Sequence, residues 1–224
     1  MTGVYLNQVY LIENGLVSYN DGWTLQKKLF KQVTEQRNIH YLFLTEHHPV
    51  ITIGKSGTHK NLLTSQEYLH QQHIDVVEID RGGDITFHGP GQIVGYPIMD
   101  LCAFYKDVHW YLRMLEEVII RTLRTFHIES SRVPGMTGVW VQDAKICAIG
   151  IKVTRWVTMH GFALNVNTDL SFFDHIIPCG IDDKGVTSIS QLTGNIVNKN
   201  HVIKELVGQF QQVFEVICSP APNN

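Results

Sequence analysis

Four short segments hold residue types that could do chemistry. The first is Arg81-Gly82-Gly83-Asp84-Ile85-Thr86-Phe87-His88-Gly89-Pro90-Gly91-Gln92. Its paired glycines can expose backbone N–H groups, with Arg81 and His88 at either end of a short strand. A pocket wall and two tight turns around an edge strand both fit this composition. It is neither GxGxxG nor a phosphate-binding loop ending in GK[ST]. The second is Lys145-Ile146-Cys147-Ala148-Ile149-Gly150-Ile151-Lys152. Alternation predicts Ile146, Ala148 and Gly150 on one strand face, and Lys145, Cys147 and Ile149 on the other. Lys145 is then either a solvated strand end or an inward ammonium, costly unless paired. The third is His160-Gly161-Phe162-Ala163-Leu164-Asn165-Val166-Asn167. Its asparagines suit the tying down of a following turn, and His160 also reads as a satisfied core or turn histidine. The fourth is Ile176-Ile177-Pro178-Cys179-Gly180-Ile181, where Pro178 stiffens the approach and Gly180 clears space beside the thiol. Cys179 there is a nucleophile if a cation favours its thiolate, and otherwise a small buried hydrophobe. The latter reading is taken for Cys102, Cys147 and Cys218.

These segments must be held by a scaffold. A 3.6-residue stripe from Val108 to Phe126 predicts one helix. Val202, Leu206, Phe210, Val213 and Ile217 predict a second, and Trp23 to Val33 a third. Thr64-Ser65-Gln66-Glu67 reads as a capping box opening a short helix. Strand-like runs lie at 9–12, 41–45, 50–53, 76–79, 93–96, 139–141 and 146–153. Helices and strands do not alternate one for one, so an α+β fold with a mixed or antiparallel sheet is expected. Residues 1–224 are read as one domain, frayed from about residue 218.

Composition narrows the classes. A net charge of −3 argues against a nucleic-acid binder, whose footprint is basic. The first fifteen residues carry no Lys or Arg, and no apolar run reaches bilayer length, so a cytoplasmic chain away from membranes is expected. There the four cysteines are thiols. No CxxC or HExxH occurs, so no metal site is expected.

At these segments the sequence resembles the lipoyl(octanoyl) transferase family. The resemblance covers most of the chain. It rests on residues 81–101 (RGGDITFHGPGQIVGYPIMDL), on KICAIGIKV (145–153), TMHGFALNVNTDL (158–170), PCGI (178–181) and GVTSI (185–189), in that order. It implies a biotin/lipoate protein ligase-like fold and transfer of an octanoyl group from octanoyl-acyl carrier protein to a lysine of lipoyl domains. Such domains belong to 2-oxoacid dehydrogenase complexes and to the glycine cleavage H protein. It further implies Cys179 as the acyl-carrying nucleophile and Lys145 as its partner. The acyl pocket would be lined by Arg81 to His88, by Ala148, Ile149 and Gly150, and by His160, Gly161, Phe162 and Ala163. No cofactor and no ATP are implied. Cys147 stands where Ala is common in the family, one strand residue from Ala148, which leaves a second thiol near the pocket open beside its reading as a buried hydrophobe. Trp156 and Met159 also depart from the pattern, bearing on acyl-chain fit.

A thiolate attacking an acyl thioester exchanges one thioester for another, so the difficulty lies in forming the thiolate. The acceptor lysine must then lose a proton, and a neutral Lys145 could take it. Lys145 and Cys179 should therefore titrate as one coupled unit. Oxyanion stabilisation would come from backbone N–H groups near Gly180 or in the Gly82-Gly83 loop. Three alternatives stay open: an ATP-dependent lipoate or biotin ligase, a non-catalytic lipoyl-domain binder, and a thiol hydrolase pairing Cys179 with His88 or His160.

Overall fold

The structure, a computed structural model, describes residues 6–178 and 184–222. Cys179, Gly180 and Ile181 lie outside the described residues. The main sheet runs in the order β12 (Val216–Pro220), β1 (Asn7–Val17), β2 (His40–His47), β6 (Gln92–Ile98), β10 (Val157–Asn165), β9 (Ala144–Thr154), β8 (Met136–Val141), β7 (Ser131–Val133). β11 (Gly185–Val186) pairs with β9 off this path. The β12–β1–β2 pairs are parallel and the path from β2 onward is antiparallel. A smaller sheet has the order β4 (Asp75–Glu78), β3 (Val50–Ile53), β5 (Ile85–His88). This is the α+β class with a mixed sheet that the element pattern predicts.

α1 (Tyr19–Glu35) packs on one face of the main sheet, with Leu29 and Val33 against Phe43, Tyr96 and Ile98. α3 (Val108–Arg124) and α5 (Lys199–Phe214) cover the other, where Leu115, Val118, Leu206 and Phe210 meet Leu42, Ile93 and Leu164. Each helix buries the apolar stripe read from its sequence, which is what holds an amphipathic helix to a sheet. α1 opens four residues before Trp23, because the Ser18 hydroxyl accepts the Asp21 N–H and caps the helix there. α2 (Gln66–Gln71) starts one residue later than the capping box predicts: Ser65 rather than Thr64 caps it, accepting the Tyr68 N–H, while the Thr64 hydroxyl meets His175 Nδ1 at 2.9 Å. α4 (Ile189–Thr193) follows Ser188. Among the described residues no helix is long and apolar enough to cross a membrane.

Two expectations change. The stripe extended to Ile217 breaks at Glu215, whose left-handed φ of 54° ends α5 and turns the chain into β12. The residues expected to fray from about 218 instead pair in register with β1, through Cys218↔Val9, Ser219↔Tyr10 and Pro220↔Leu11. Gln8 Nε2 donates to Ser219 Oγ at 2.6 Å. A prolyl residue is tolerated there because β12 is an edge strand.

Candidate active site

β5, β6, β9 and β10 meet the loop 81–84 and the first turn of α1 around a cavity of about 480 Å³, mouth included. Its wall takes Arg81, Gly83, Asp84, Ile85, Thr86 and His88 from the first segment. Ala148, Ile149 and Gly150 come from the second, and His160, Gly161, Phe162 and Ala163 from the third. The three segments are separated by about sixty and ten residues in sequence, yet they share one wall. Small residues make this possible. A methyl on Gly150 would sit 2.9 Å from the Gly82 carbonyl oxygen, and one on Gly161 would sit 2.2 Å from that of Gly95. Neither contact can form, so backbone approaches backbone and leaves a slot between.

Tyr19, Val94 and Tyr96 also line the cavity, and sequence reasoning did not assign them to it. Alternation along β6 puts Val94 and Tyr96 on one face, which was the available signal. Phe87 does not line it. It turns into a separate cluster, stacked on Phe172 at 4.7 Å and edge-on to Phe173 at 5.6 Å. Gly82 lies on a neighbouring depression rather than on this cavity.

That depression shares Gly83, Asp84, Ile149 and Gly150 with the cavity, and it is also lined by Leu112, Met136, Thr137 and Lys145. Lys145 is buried, with Nζ 4.8 Å from the centre of the Trp140 ring. Its strand does not follow the simple alternation expected of it. Lys145 pairs with Trp140, but Cys147 pairs with Val139, so a bulge inserts Ile146. Ile146 and Cys147 both enter the core beneath α3 and α5. Cys147 is therefore no second thiol at the cavity. Burial pushes its thiol far above the ordinary range, which leaves it inert. In the Gly82-Gly83 loop, the Gly82 N–H is already committed to the Ile151 carbonyl at 2.8 Å. It cannot also serve an oxyanion.

Two histidines stand on the cavity wall in different settings. His88 Nδ1 lies 2.8 Å from Gln92 Oε1, while Gln92 Nε2 donates to Phe87 O at 3.1 Å and to Asn165 Oδ1 at 2.9 Å. With its amide nitrogen committed twice, Gln92 offers only its oxygen, so His88 carries its proton on Nδ1. Nε2 is then the acceptor, 3.4 Å from the Thr52 hydroxyl, which in turn accepts from Arg81 at 3.0 Å. Burial drives the His88 pKa down to about 3, helped by His47 and Arg81. His88 is thus neutral throughout the physiological range.

His160 has a left-handed backbone, φ 59°, inside β10. Its N–H donates to Gln26 Oε1 at 3.1 Å, and its Nε2 lies 2.8 Å from Asp80 Oδ1. The other Asp80 oxygen takes Lys152 Nζ at 2.5 Å. A non-glycine residue in that region is strained and persists only where neighbours fix it. Burial lowers the His160 pKa, opposed by Asp80. Asp80 is itself shifted below the ordinary carboxylate range: its burial opposes this, but the hydrogen bonds from Lys152 and His160 prevail. Neither Asp80 nor Lys152 was singled out from sequence.

The family comparison fits this geometry. Residues 18–211 match the model of the lipoyl protein ligase A/B catalytic domain. An octanoyltransferase from Christiangramia forsetii is 46% identical over 218 residues, spanning 90% of this chain and 93% of its own length. One from Clostridium kluyveri is 45% identical over 200 residues, covering 89% of this chain and 85% of its own. Among solved structures, lipoate-protein ligase A bound with ATP superposes with a TM-score of 0.76 at 14% identity, over 98% of this chain and 90% of that one. The lipoate protein ligase of an archaeal lipoylation system from Thermoplasma acidophilum gives 0.77 at 16%, over 98% and 88%. The chain belongs to the lipoyl protein ligase A/B catalytic domain family.

Proposed function

We propose that the protein is an acyltransferase that moves an octanoyl group from octanoyl-acyl carrier protein to a lysine of a lipoyl domain. The acyl group passes through a thioester on Cys179. The observation that carries this reading is the slot itself. Three family-like segments converge on a cavity walled by Ile85, Val94, Ile149, Phe162 and Ala163, and it adjoins the depression that holds Lys145. The identity of about 45% to octanoyltransferases, against 14–16% to the ligases sharing the fold, supports transfer over ATP-dependent ligation.

The chemistry has two halves. The Cys179 thiolate attacks the thioester carbonyl, the tetrahedral intermediate collapses, and the carrier leaves as a thiolate. The Lys145 ammonium stabilises the attacking thiolate and gives its proton to the departing one. The amine of the acceptor lysine then attacks the Cys179 thioester, its proton passes to neutral Lys145, and Cys179 leaves as a thiolate. Lys145 returns to the ammonium form, so one cycle uses both of its protonation states. His88 takes no part in proton transfer, because it stays neutral and is fully engaged in hydrogen bonds. The acceptors are lipoyl domains of 2-oxoacid dehydrogenase complexes and the glycine cleavage H protein. The enzyme works in the cytoplasm as a single catalytic domain, without metal, cofactor or ATP.

Intact-mass measurement after mixing with octanoyl-acyl carrier protein tests the reading. The wild-type chain should gain one octanoyl group, and so should Cys147→Ala. Cys179→Ser should gain none; an adduct at wild-type level in that variant would sink the assignment. Free octanoate with ATP and magnesium should give no transfer, whereas transfer would favour a ligase.

A further inference from the structure

The two asparagines of the third segment do not tie down the turn that follows them. Each reaches a distant piece of backbone. Asn167 clamps Val197 on both sides, its Nδ2 donating to the Val197 carbonyl at 2.9 Å and its Oδ1 accepting the Val197 N–H at 3.0 Å. Asn165 is buried at the last position of β10, and its Nδ2 donates to the Thr187 carbonyl at 3.1 Å. The Thr187 N–H donates to the Lys145 carbonyl at 3.0 Å. Thr187 is therefore held by both of its backbone groups, one of them on Lys145 itself.

The sheet explains why a clamp is needed. β10 stays paired with β9 only as far as Leu164↔Cys147. Beyond that point the edge of β9 at Lys145 would be open. β11 fills it with just two residues, Gly185↔Ala144 and Val186↔Lys145. Two paired residues are a weak ladder on their own. The Asn165 amide adds the bond that secures its far end. Asn165 is in turn oriented by Gln92, so the buried chain from Arg81 through Thr52, His88 and Gln92 ends at the strand beside Lys145. β11 begins six residues after Cys179 in the sequence.

We propose that Asn165 is a positioning residue for acyl transfer, fixing β11 against Lys145 through Thr187. The proposal rests on the functional reading above. It makes Asn165 and Asn167, two residues apart and alike in chemistry, different in consequence. Both stabilise the fold, but only Asn165 acts on the transfer step.

The test compares Asn165→Ala with Asn167→Ala, following octanoyl transfer from octanoyl-acyl carrier protein to a lipoyl domain, together with backbone amide exchange. Asn165→Ala should lower kcat about tenfold and leave KM for the donor within about twofold, as expected for misplaced chemistry with intact binding. Its Thr187 amide should exchange at least about tenfold faster. Asn167→Ala should keep kcat within about twofold and speed exchange at Val197 instead. Asn165→Ser, which keeps a shorter hydroxyl, replaces the alanine variant if that fails to fold. Wild-type kcat in Asn165→Ala, or equal losses in both variants, would overturn the proposal. A loss of kcat confined to Asn165→Ala, with no acyl group on Cys179 in the wild type, would instead overturn the covalent mechanism and leave the positioning role standing.

Discussion

His88 and His160 sit on the same cavity wall and are both buried, yet their surroundings solve the cost of burial in opposite ways. His88 is held by neutral groups: a hydroxyl on one nitrogen and a carboxamide oxygen on the other. His160 is held by a carboxylate that is itself bonded to Lys152. The neutral arrangement fixes a tautomer, because Gln92 has only its oxygen left to offer, and burial removes the charge. The charged arrangement keeps a proton acceptor in reach of water, since Asp80 is about one-third exposed. A buried histidine on a cavity wall thus need not be a base, and its partners decide which it is.

The largest effect expected from breaking this contrast is on the neutral side. Gln92→Leu strands the His88 Nδ1–H, the Phe87 carbonyl and Asn165 Oδ1 in a buried site. Each unsatisfied group costs about 1–3 kcal/mol, so the variant should lose about 3 kcal/mol or more of stability, read by denaturant unfolding. An unchanged midpoint would mean that the chain is not under tension from burial.

Next comes pH. In the unfolded chain His88 titrates near 6.5, and in the fold near 3, with burial as the main cause. His40 and His47 are likewise lowered to about 4 by burial. Between about pH 4 and 6.5 the unfolded state therefore binds more protons, and stability falls as pH falls. Each such group contributes a slope of up to about 1.4 kcal/mol per pH unit. Stability should be steady between about pH 7 and 8 and drop steeply below 6, with proton uptake on unfolding. His88→Gln should remove about one proton from that uptake at pH 5, measured by calorimetry in buffers of different ionisation enthalpy. Asp80, shifted downward, works in a lower window: its contribution is present above about pH 4 and is lost below it.

The smallest effect is on the charged side. Asp80→Asn should cost only about 1 kcal/mol, because water screens the partly exposed Lys152 pair. It should also lower the His160 pKa further, since Asp80 is what opposes burial there. An upward shift of the His160 resonance titration would contradict this account.

Much of this molecule was legible in the sequence. The α3 and α5 stripes, the presence of α2 and most strands follow from period and local chemistry, which act over a few residues. Arg81 to His88, Ala148 to Gly150 and His160 to Ala163 were expected at one pocket only through the family resemblance, and all but Gly82 and Phe87 line the cavity. Asp80 and Lys152 escaped notice because an ion pair across 72 residues leaves no local trace.

The sequence by itself determined which segments are helix or strand and which residues are small enough to let backbones meet. Those depend on neighbours within one turn or one pleat. Only the tertiary structure decided that Cys147 enters the core, that residues 216–220 form an edge strand, and that Asn165 and Asn167 serve different backbones. A bulge, a parallel pairing between chain ends and an amide clamp are each fixed by a partner far away in sequence. What the long-range fold adds at the cavity is that neutral His88, through Gln92 and Asn165, ends on the strand beside Lys145.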